Sequence, residues 1–222
     1  MKHLIFSDTH LSHKFEPAKF KFLRKIIFKA DKVIIAGDFY DHLFTDLNKL
    51  LNSKWQPLFK LLKQKKAVFI PGNHDPLTGT NREKEFCNQI TPEYKLISKG
   101  KQFIVRHGHK INPGFHKFED SVPKYIQKLA LKTTNKIEKT LVNLFGWVAP
   151  YLFSYRYIDI LKTINYRRKN KNYGDYLILG HLHFPYWGKR LKYINTGFIN
   201  HGLASYTTIE NGKIKLYWHT YG

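Results

Sequence analysis

Five short clusters in this chain of 222 residues carry the side-chain types that hold metals and move protons. They are Ser7–His10 (SDTH), Gly37–Asp41 (GDFYD), Gly72–Asp75 (GNHD), His107–His109 (HGH) and His181–His183 (HLH). Between them they offer Asp8, His10, Asp38, Asn73, His107, His181 and His183, which is two carboxylates, one amide and four imidazoles. That is a donor set for two divalent cations. Two cations about 3.5–4 Å apart need a bridging anion, and together they lower the pKa of a shared water towards about 7 and neutralise phosphoryl oxygens. Asp38 is the natural bridge. Mixed nitrogen and oxygen donors suit manganese, with iron or zinc as alternatives, better than magnesium.

Such a set functions only if something gathers it. Each cluster follows a short apolar run: HLIF, KVIIA, AVFIP, QFIVR and YLILG. Continuous apolar runs of that length read as buried strands, and in layered α/β folds the carboxyl ends of strands converge on one edge. Residues two apart in a strand face the same side, so Asp8 with His10, and His181 with His183, are expected to enter one cavity through the pleat. Helical patterns lie between the runs, over 15–30 and over 47–64 with a break expected at Pro57, and a shorter helix is expected over 81–90 around Cys87. Cys87 itself is expected to be a small apolar filler. The end of the chain alternates on both sides of Asn211-Gly212, a hairpin signature. The whole predicts an α/β fold in one domain over 1–222.

One stretch breaks the rhythm. Residues 110–172 contain no strand pattern, but Val122, Ile126, Leu129, Thr133, Ile137 and Leu141 recur at helical spacing opposite a lysine-rich face. A second helix, rich in aromatic residues, is expected over 151–166, with Gly146 and Pro150 at the corner. We read 110–172 as a helical insertion within the domain. It holds 13 Lys/Arg against 4 Asp/Glu, +9 of the total +22.

That total, 38 Lys/Arg against 16 Asp/Glu, has two readings. One is an anionic partner, whether nucleic acid, anionic lipid or polyphosphate; the other is simple compositional enrichment in lysine. The single cysteine excludes an internal disulfide and fits a reducing, cytoplasmic setting. The apolar run at the N-terminus is too short for a signal peptide, and no run of 18 apolar residues reads as a membrane span.

The five clusters, in this order and each after a strand, resemble the calcineurin-like metallophosphoesterase family over residues 7–183. The resemblance implies a four-layer α/β/β/α sandwich. It assigns Asp8, His10, Asp38 and His183 to a first metal and Asp38, Asn73, His107 and His181 to a second. It gives His74 the family's role of assisting the leaving group, and Asp75 and Asp41 supporting roles beside the catalytic His74. His109 either faces the cavity or backs it, and Asn195 and His201 are candidates to line the pocket. His3 is expected on the surface, and no site role is expected for His13, His42, His116 or His219.

The place of the insertion, between the HGH and HLH clusters, resembles the UDP-2,3-diacylglucosamine diphosphatase branch of the family, which acts in lipid A biosynthesis and carries a helical lid over the metals. That implies a nucleotide-linked lipid diphosphate as substrate and peripheral association with the inner membrane surface. The uncharged, aromatic run of 16 residues from Thr140 to Tyr155 has the character of an interfacial element. His74 departs from the enterobacterial type of that branch, which has Arg at the matching place, and this leaves the substrate open. The alternative is a nuclease or cyclic-nucleotide phosphodiesterase whose basic surface tracks nucleic acid. A scaffold without catalysis is disfavoured, because every ligand and His74 are present. All metal candidates lie outside 110–172, so the insertion is expected to be separable from hydrolysis itself.

Overall fold

The computed structural model describes residues 1–112, 122–152, 154–172 and 174–222, with backbone only over 154–156. All five apolar runs form strands: β1 (Lys2–Phe6), β2 (Lys32–Ile35), β3 (Val68–Phe69), β6 (Lys101–Arg106) and β7 (Tyr176–Leu179). They divide between two sheets. In the first, β1, β2, β3 and the short β4 (Gln89–Ile90) run parallel in that order. β11 (Leu203–Glu210) joins β1 antiparallel and itself pairs with β10 (Ile199–Asn200) and β12 (Lys213–Thr220). In the second, β5 (Tyr94–Ser98) lies beside β6, followed by β7, β9 (Tyr193–Asn195) and β8 (Tyr186–Gly188), with β6, β7 and β9 parallel.

Period-two alternation sorts the side chains into layers. Leu4, Phe6, Val33, Ile35 and Phe69 pack outward from the first sheet against helices α1 (Pro17–Phe28), α2 (Leu47–Leu51) and α3 (Gln56–Gln64), around fully buried Leu23, Trp55, Leu58 and Leu62. Ile5, Ile34, Val68 and Ile209 point the other way and meet Phe103, Val105, Ile178 and Ile194 of the second sheet. Ile104, Leu177, Leu179 and Tyr193 form the outer face of that sheet, against Ile111 and Tyr166. The order is helices, sheet, sheet, helix, as the sandwich reading expects, and strands buried on both faces explain the unbroken apolar runs.

The hairpin forms where expected, with Asn211 and Gly212 both at positive φ. Three local expectations need correction. The break in the 47–64 pattern falls over 52–55, and Pro57 instead sits in the first turn of α3, where its missing N–H costs nothing. Residues 81–90 are not a helix: a 3-10 turn, Arg82–Glu85, leads into β4, while Cys87 is buried in the core as a small filler. His3 is not on the surface but buried within β1.

Between β6 and β7 the described chain forms α4 (Lys124–Phe145), a 3-10 segment (Gly146–Leu152) and α5 (Ser154–Lys169). The expected start of the first helix at Asp120–Ser121 lies outside the described residues, as do most of 110–121 and His116. Twenty-two residues make α4 about 33 Å long. Its apolar stripe faces away from the core: Ile126, Leu129, Ile137 and Leu144 are 41, 64, 48 and 68% exposed. Val142, on the opposite face, is buried with Ala149, Phe198 and Leu203. Among the described residues no helix is long and apolar enough to cross a membrane.

Candidate metal centre

The ligand candidates sit not in strands but in the turns beyond them. β1 ends at Phe6 and β7 at Leu179. Asp8, His10, Asp38, His181 and His183 all have φ between 44° and 73°, the left-handed region that L-residues seldom enter. The paired residues therefore share a cavity through tight turns and not through the pleat, which corrects the mechanism expected from spacing. Such backbone persists only where the surroundings fix it. Here the loop after β1 is stitched to the loop after β2: Asp8 N donates to Gly37 O, Thr9 N and His10 N to Asp38 O, and Leu11 N to Phe39 O, all at 2.9–3.0 Å.

Asp75 is the second fixture. Its buried carboxylate accepts from Asp38 N (3.1 Å), Phe39 N (2.5 Å) and Gly72 N (2.6 Å). With both oxygens engaged it holds the loops after β2 and β3 together. Glycine is required at two approaches. A Cβ at Gly72 would collide with Asp38 Oδ1, and one at Gly180 would collide with the Ser7 side chain and press on Asp8 Oδ2. Asn195, fully buried, donates to Gly180 O and accepts from Gly197 N, so it braces the turn before His181 and does not line the pocket.

The side chains converge in two separate groups, and a third, of His10, Asp41 and His74, shares His10 with the first. Ligating atoms of Asp8, His10 and His183 lie within 4.8 Å of one another, and so do those of Asp38, His107 and His181. His183 Nε2 is 3.1 Å from His10 Nε2 and 3.3 Å from Asp8 Oδ1. His107 Nε2 is 3.2 Å from Asp38 Oδ2 and 3.1 Å from Asn73 Oδ1. All seven ligand candidates are thus brought together.

The ring nitrogens turned away from the centre are also engaged, and this settles which nitrogen carries the lone pair. His107 Nδ1 donates to Ala36 O (2.8 Å) and His181 Nε2 to Asn112 O (2.8 Å). His10 Nδ1 faces Asp41 Oδ2 at 3.7 Å, and His183 Nδ1 faces Glu138 Oε1 at 3.5 Å. Partners of this kind are what orient metal-bound imidazoles. Among the described residues, buried Asp8 Oδ1 has only the His183 Nε2 contact at 3.3 Å, which leaves it open to a cation. The residues fit a pair of divalent ions.

Electrostatics agree. Burial opposes charge on His107 and His183, yet Asp38 carries the first up to about 9, and Asp8 with Glu138 carries the second up to about 10. Asp38 and Asp8 stay below the usual carboxylate range despite their burial, held there by His107 and His183. A cation taking the place of these protons would release them, since imidazole and carboxylate ligands bind metal only when deprotonated.

His74 belongs with Asp41. Its Nδ1 is 3.3 Å from Asp41 Oδ2, and its ring meets His10 edge-on at 4.8 Å between centroids. Its backbone N donates to Asp38 Oδ1, and His42 donates from both its backbone N and its ring to His74 O. The His42 ring therefore supports the site, where no role was expected. His109 lies beside His107 and His181, at 5.3 and 6.4 Å between ring centroids. The His201 side chain is 8% exposed and 3.9 Å from Glu138, and desolvation lowers it to about 4. His13 bonds to Thr45, and His219 stacks on Tyr206, both away from the centre.

Two residues at the site escaped the sequence. Glu138 is the only acid in α4, a helix carrying Lys124, Lys128, Lys132, Lys136 and Lys139, and that isolation was the available signal. Asn112 acts through its backbone carbonyl, which residue type cannot reveal.

Among known proteins, the chain is 26% identical to a UDP-2,3-diacylglucosamine hydrolase of Photorhabdus laumondii over 82% of each chain. It is 27% identical to a Coxiella burnetii protein of the same name over 97% of each. Solved structures similar to it include an archaeal phosphodiesterase (16% identity, 98% of this chain and 99% of that one, TM-score 0.49). Another is a predicted phosphoesterase of Streptococcus pneumoniae (15% identity, 99% and 88%, TM-score 0.46). The profile of the calcineurin-like phosphoesterases matches residues 1–185, which takes in all five clusters. With the ligand turns gathered at one edge of a two-sheet sandwich and that profile spanning them, the chain belongs to the calcineurin-like phosphoesterase family and is a phosphoesterase.

Proposed function

We propose that this enzyme hydrolyses the diphosphate of a nucleotide-linked lipid, with UDP-2,3-diacylglucosamine as the type substrate. In this reading Asp8, His10, Asp38 and His183 hold one cation, and Asp38, Asn73, His107 and His181 hold a second. Manganese matches the mixed donor set best, with iron or zinc as substitutes. Bound cations supply an activated water and neutralise the phosphoryl oxygens. The chain does the rest. Asp75 fixes the backbone that presents Asp38 to both cations. Asp41 holds His74 at Nδ1, so Nε2 is the nitrogen that delivers a proton to the departing oxygen.

The observation that carries the substrate class is on α4. One face of this helix sends Glu138 to within 3.5 Å of His183, and the opposite face exposes Ile126, Leu129, Ile137 and Leu144. An apolar surface flanked by lysines, on the same helix that sends Glu138 to the hydrolytic centre, suits a molecule with a polar diphosphate and an apolar tail. Tyr157, Ile158 and Leu161 of α5 and Trp218 of β12 add further exposed apolar area. Residues 110–172 then act as a lid, and the same face rests on the cytoplasmic surface of the inner membrane. The name shared by the two relatives supports this reading.

The test is a substrate panel with manganese: UDP-2,3-diacylglucosamine in mixed micelles, bis(p-nitrophenyl) phosphate, and a single-stranded oligonucleotide. The lipid is expected to give the highest kcat/KM. Preference for the oligonucleotide, with a steep loss of binding as salt rises, would replace the lipid reading with a nucleic-acid one.

A further inference from the structure

An imidazole that ligates through one nitrogen depends on whatever holds the other. Sorted by those holders, the four histidines split by origin. His10 and His107 are held from within the sandwich, by Asp41 of the loop after β2 and by Ala36 O. His181 and His183 are held from the segment between β6 and β7.

Both of the latter holders are themselves fixed. Asn112 is buried, and its Nδ2 donates to Asp159 O (3.1 Å) and to the Thr163 hydroxyl, both on α5. Thr163 is fully buried and donates in turn to Asp159 O at 2.9 Å. Glu138 keeps only 14% of its side chain exposed and sets Oε1 toward His183 and Oε2 toward His201. Carboxylate, imidazole and cation in line is the usual arrangement that fixes a tautomer and raises ligand basicity.

We propose that the segment between β6 and β7 is an integral part of the dinuclear centre: Glu138 of α4 is the positioning residue for His183, and the Asn112 carbonyl, locked by Thr163 of α5, positions His181. The inference rests on the two-cation reading above and extends it. It removes the expectation that the insertion is separable from hydrolysis, because each helix serves one histidine and each histidine serves a different cation.

The test reads metal binding, not turnover. Mn²⁺ affinity is measured by chelator competition in two single-site backgrounds. Asn73→Ala leaves the site of Asp8, His10, Asp38 and His183, and His10→Ala leaves the site of Asp38, Asn73, His107 and His181. Glu138→Ala should weaken Mn²⁺ by roughly 10–100-fold in the first background and leave the second within about twofold. Thr163→Val should give the mirror pattern. Glu138→Gln, which keeps an acceptor without the charge, should fall between wild type and Glu138→Ala. Equal affinities in every variant would overturn the proposal, and so would an equal loss in both backgrounds, which would report local collapse. Wild-type protein taking up fewer than two equivalents of Mn²⁺ would instead overturn the two-cation reading itself, and this inference with it.

Discussion

The sheet edge and the segment above it reach the same centre by opposite means. At the edge, every ligand candidate lies within a few residues of a strand end, and the turns that carry them bond to one another through backbone and through Asp75. In the segment between β6 and β7, the loop after β6 contributes the Asn112 carbonyl and α4 contributes the Glu138 carboxylate, while much apolar surface of α4 and α5 faces outward. The edge is held by backbone hydrogen bonds between its loops and by the Asp75 carboxylate. The helices hold their place through a few contacts, and their exposed stripe is stable only in proportion to what covers it. The first kind of structure supplies the ligand candidates, and the second supplies the partners of two of them together with an exposed apolar stripe.

The largest effect should come from cutting the edge at its centre. Asp38 groups with His107 and His181, takes the His74 N–H, and is the proposed bridge between the two cations. Asp38→Ala is expected to lose both cations and to bring hydrolysis of any phosphoester to background. Metal analysis that still finds two full equivalents would break the bridging role. One step smaller is His74→Ala. It should retain both cations and lose about 10²–10⁴ in turnover, the range for a general acid. The loss should be greatest for poor leaving groups, and an unchanged rate on such a substrate would remove His74 from the reaction.

The scaffold of the edge is tested through Asp75. Removing its carboxylate leaves three buried N–H groups without an acceptor, at about 1–3 kcal/mol each. Allowing for relaxation, Asp75→Ala should lower unfolding free energy by about 3–5 kcal/mol, measured in urea at neutral pH. A variant as stable as wild type would show that the loops hold one another without it.

The same contrast explains what could be seen in the sequence. SDTH, GDFYD, GNHD, HGH and HLH were legible because strand, turn and ligand are adjacent in the chain, so a local pattern carries the whole message. The way His181 and His183 come to share a cavity was not legible. Pleat alternation gave the right partners for the wrong reason, since both lie in left-handed turns that depend on Asp8 and Gly180 from two different loops. His3 looked exposed because it was read as preceding the strand, whereas β1 already begins at Lys2 and His3 lies between β11 and β2. The stripe Ile126, Leu129, Ile137 declared an amphipathic helix but not its orientation. Orientation is set by Val142 packing on Phe198 and Leu203, contacts between residues 56 and 61 positions apart. Glu138 was marked in the sequence only by its isolation among lysines, and its place at the centre follows from that orientation.

The smallest effect on the fold, and the sharpest on the comparison, should come from the outer face of α4. Leu129 is 64% exposed and Ile137 is 48% exposed, so neither contributes much buried area. Leu129→Lys and Ile137→Lys should each change stability by no more than about 0.5 kcal/mol, the ordinary range for surface positions. Neither touches the metal centre, so cation content and kcat on bis(p-nitrophenyl) phosphate should match wild type. On a lipid-linked diphosphate the double variant should behave differently. A tail deprived of an apolar surface gives up remote binding energy, which shows as a fall in kcat/KM on that substrate alone. If the tail covers roughly 20–30 Å² of apolar area at each site, about 25 cal/mol per Å² makes each worth about 0.5–0.75 kcal/mol, and an added lysine costs more where a hydrocarbon chain would lie. A combined drop of about 10-fold or more is therefore expected. Equal kcat/KM values for wild type and double variant on the lipid substrate would mean that the exposed stripe does not meet the tail, and the division of labour between edge and helix would have to be redrawn.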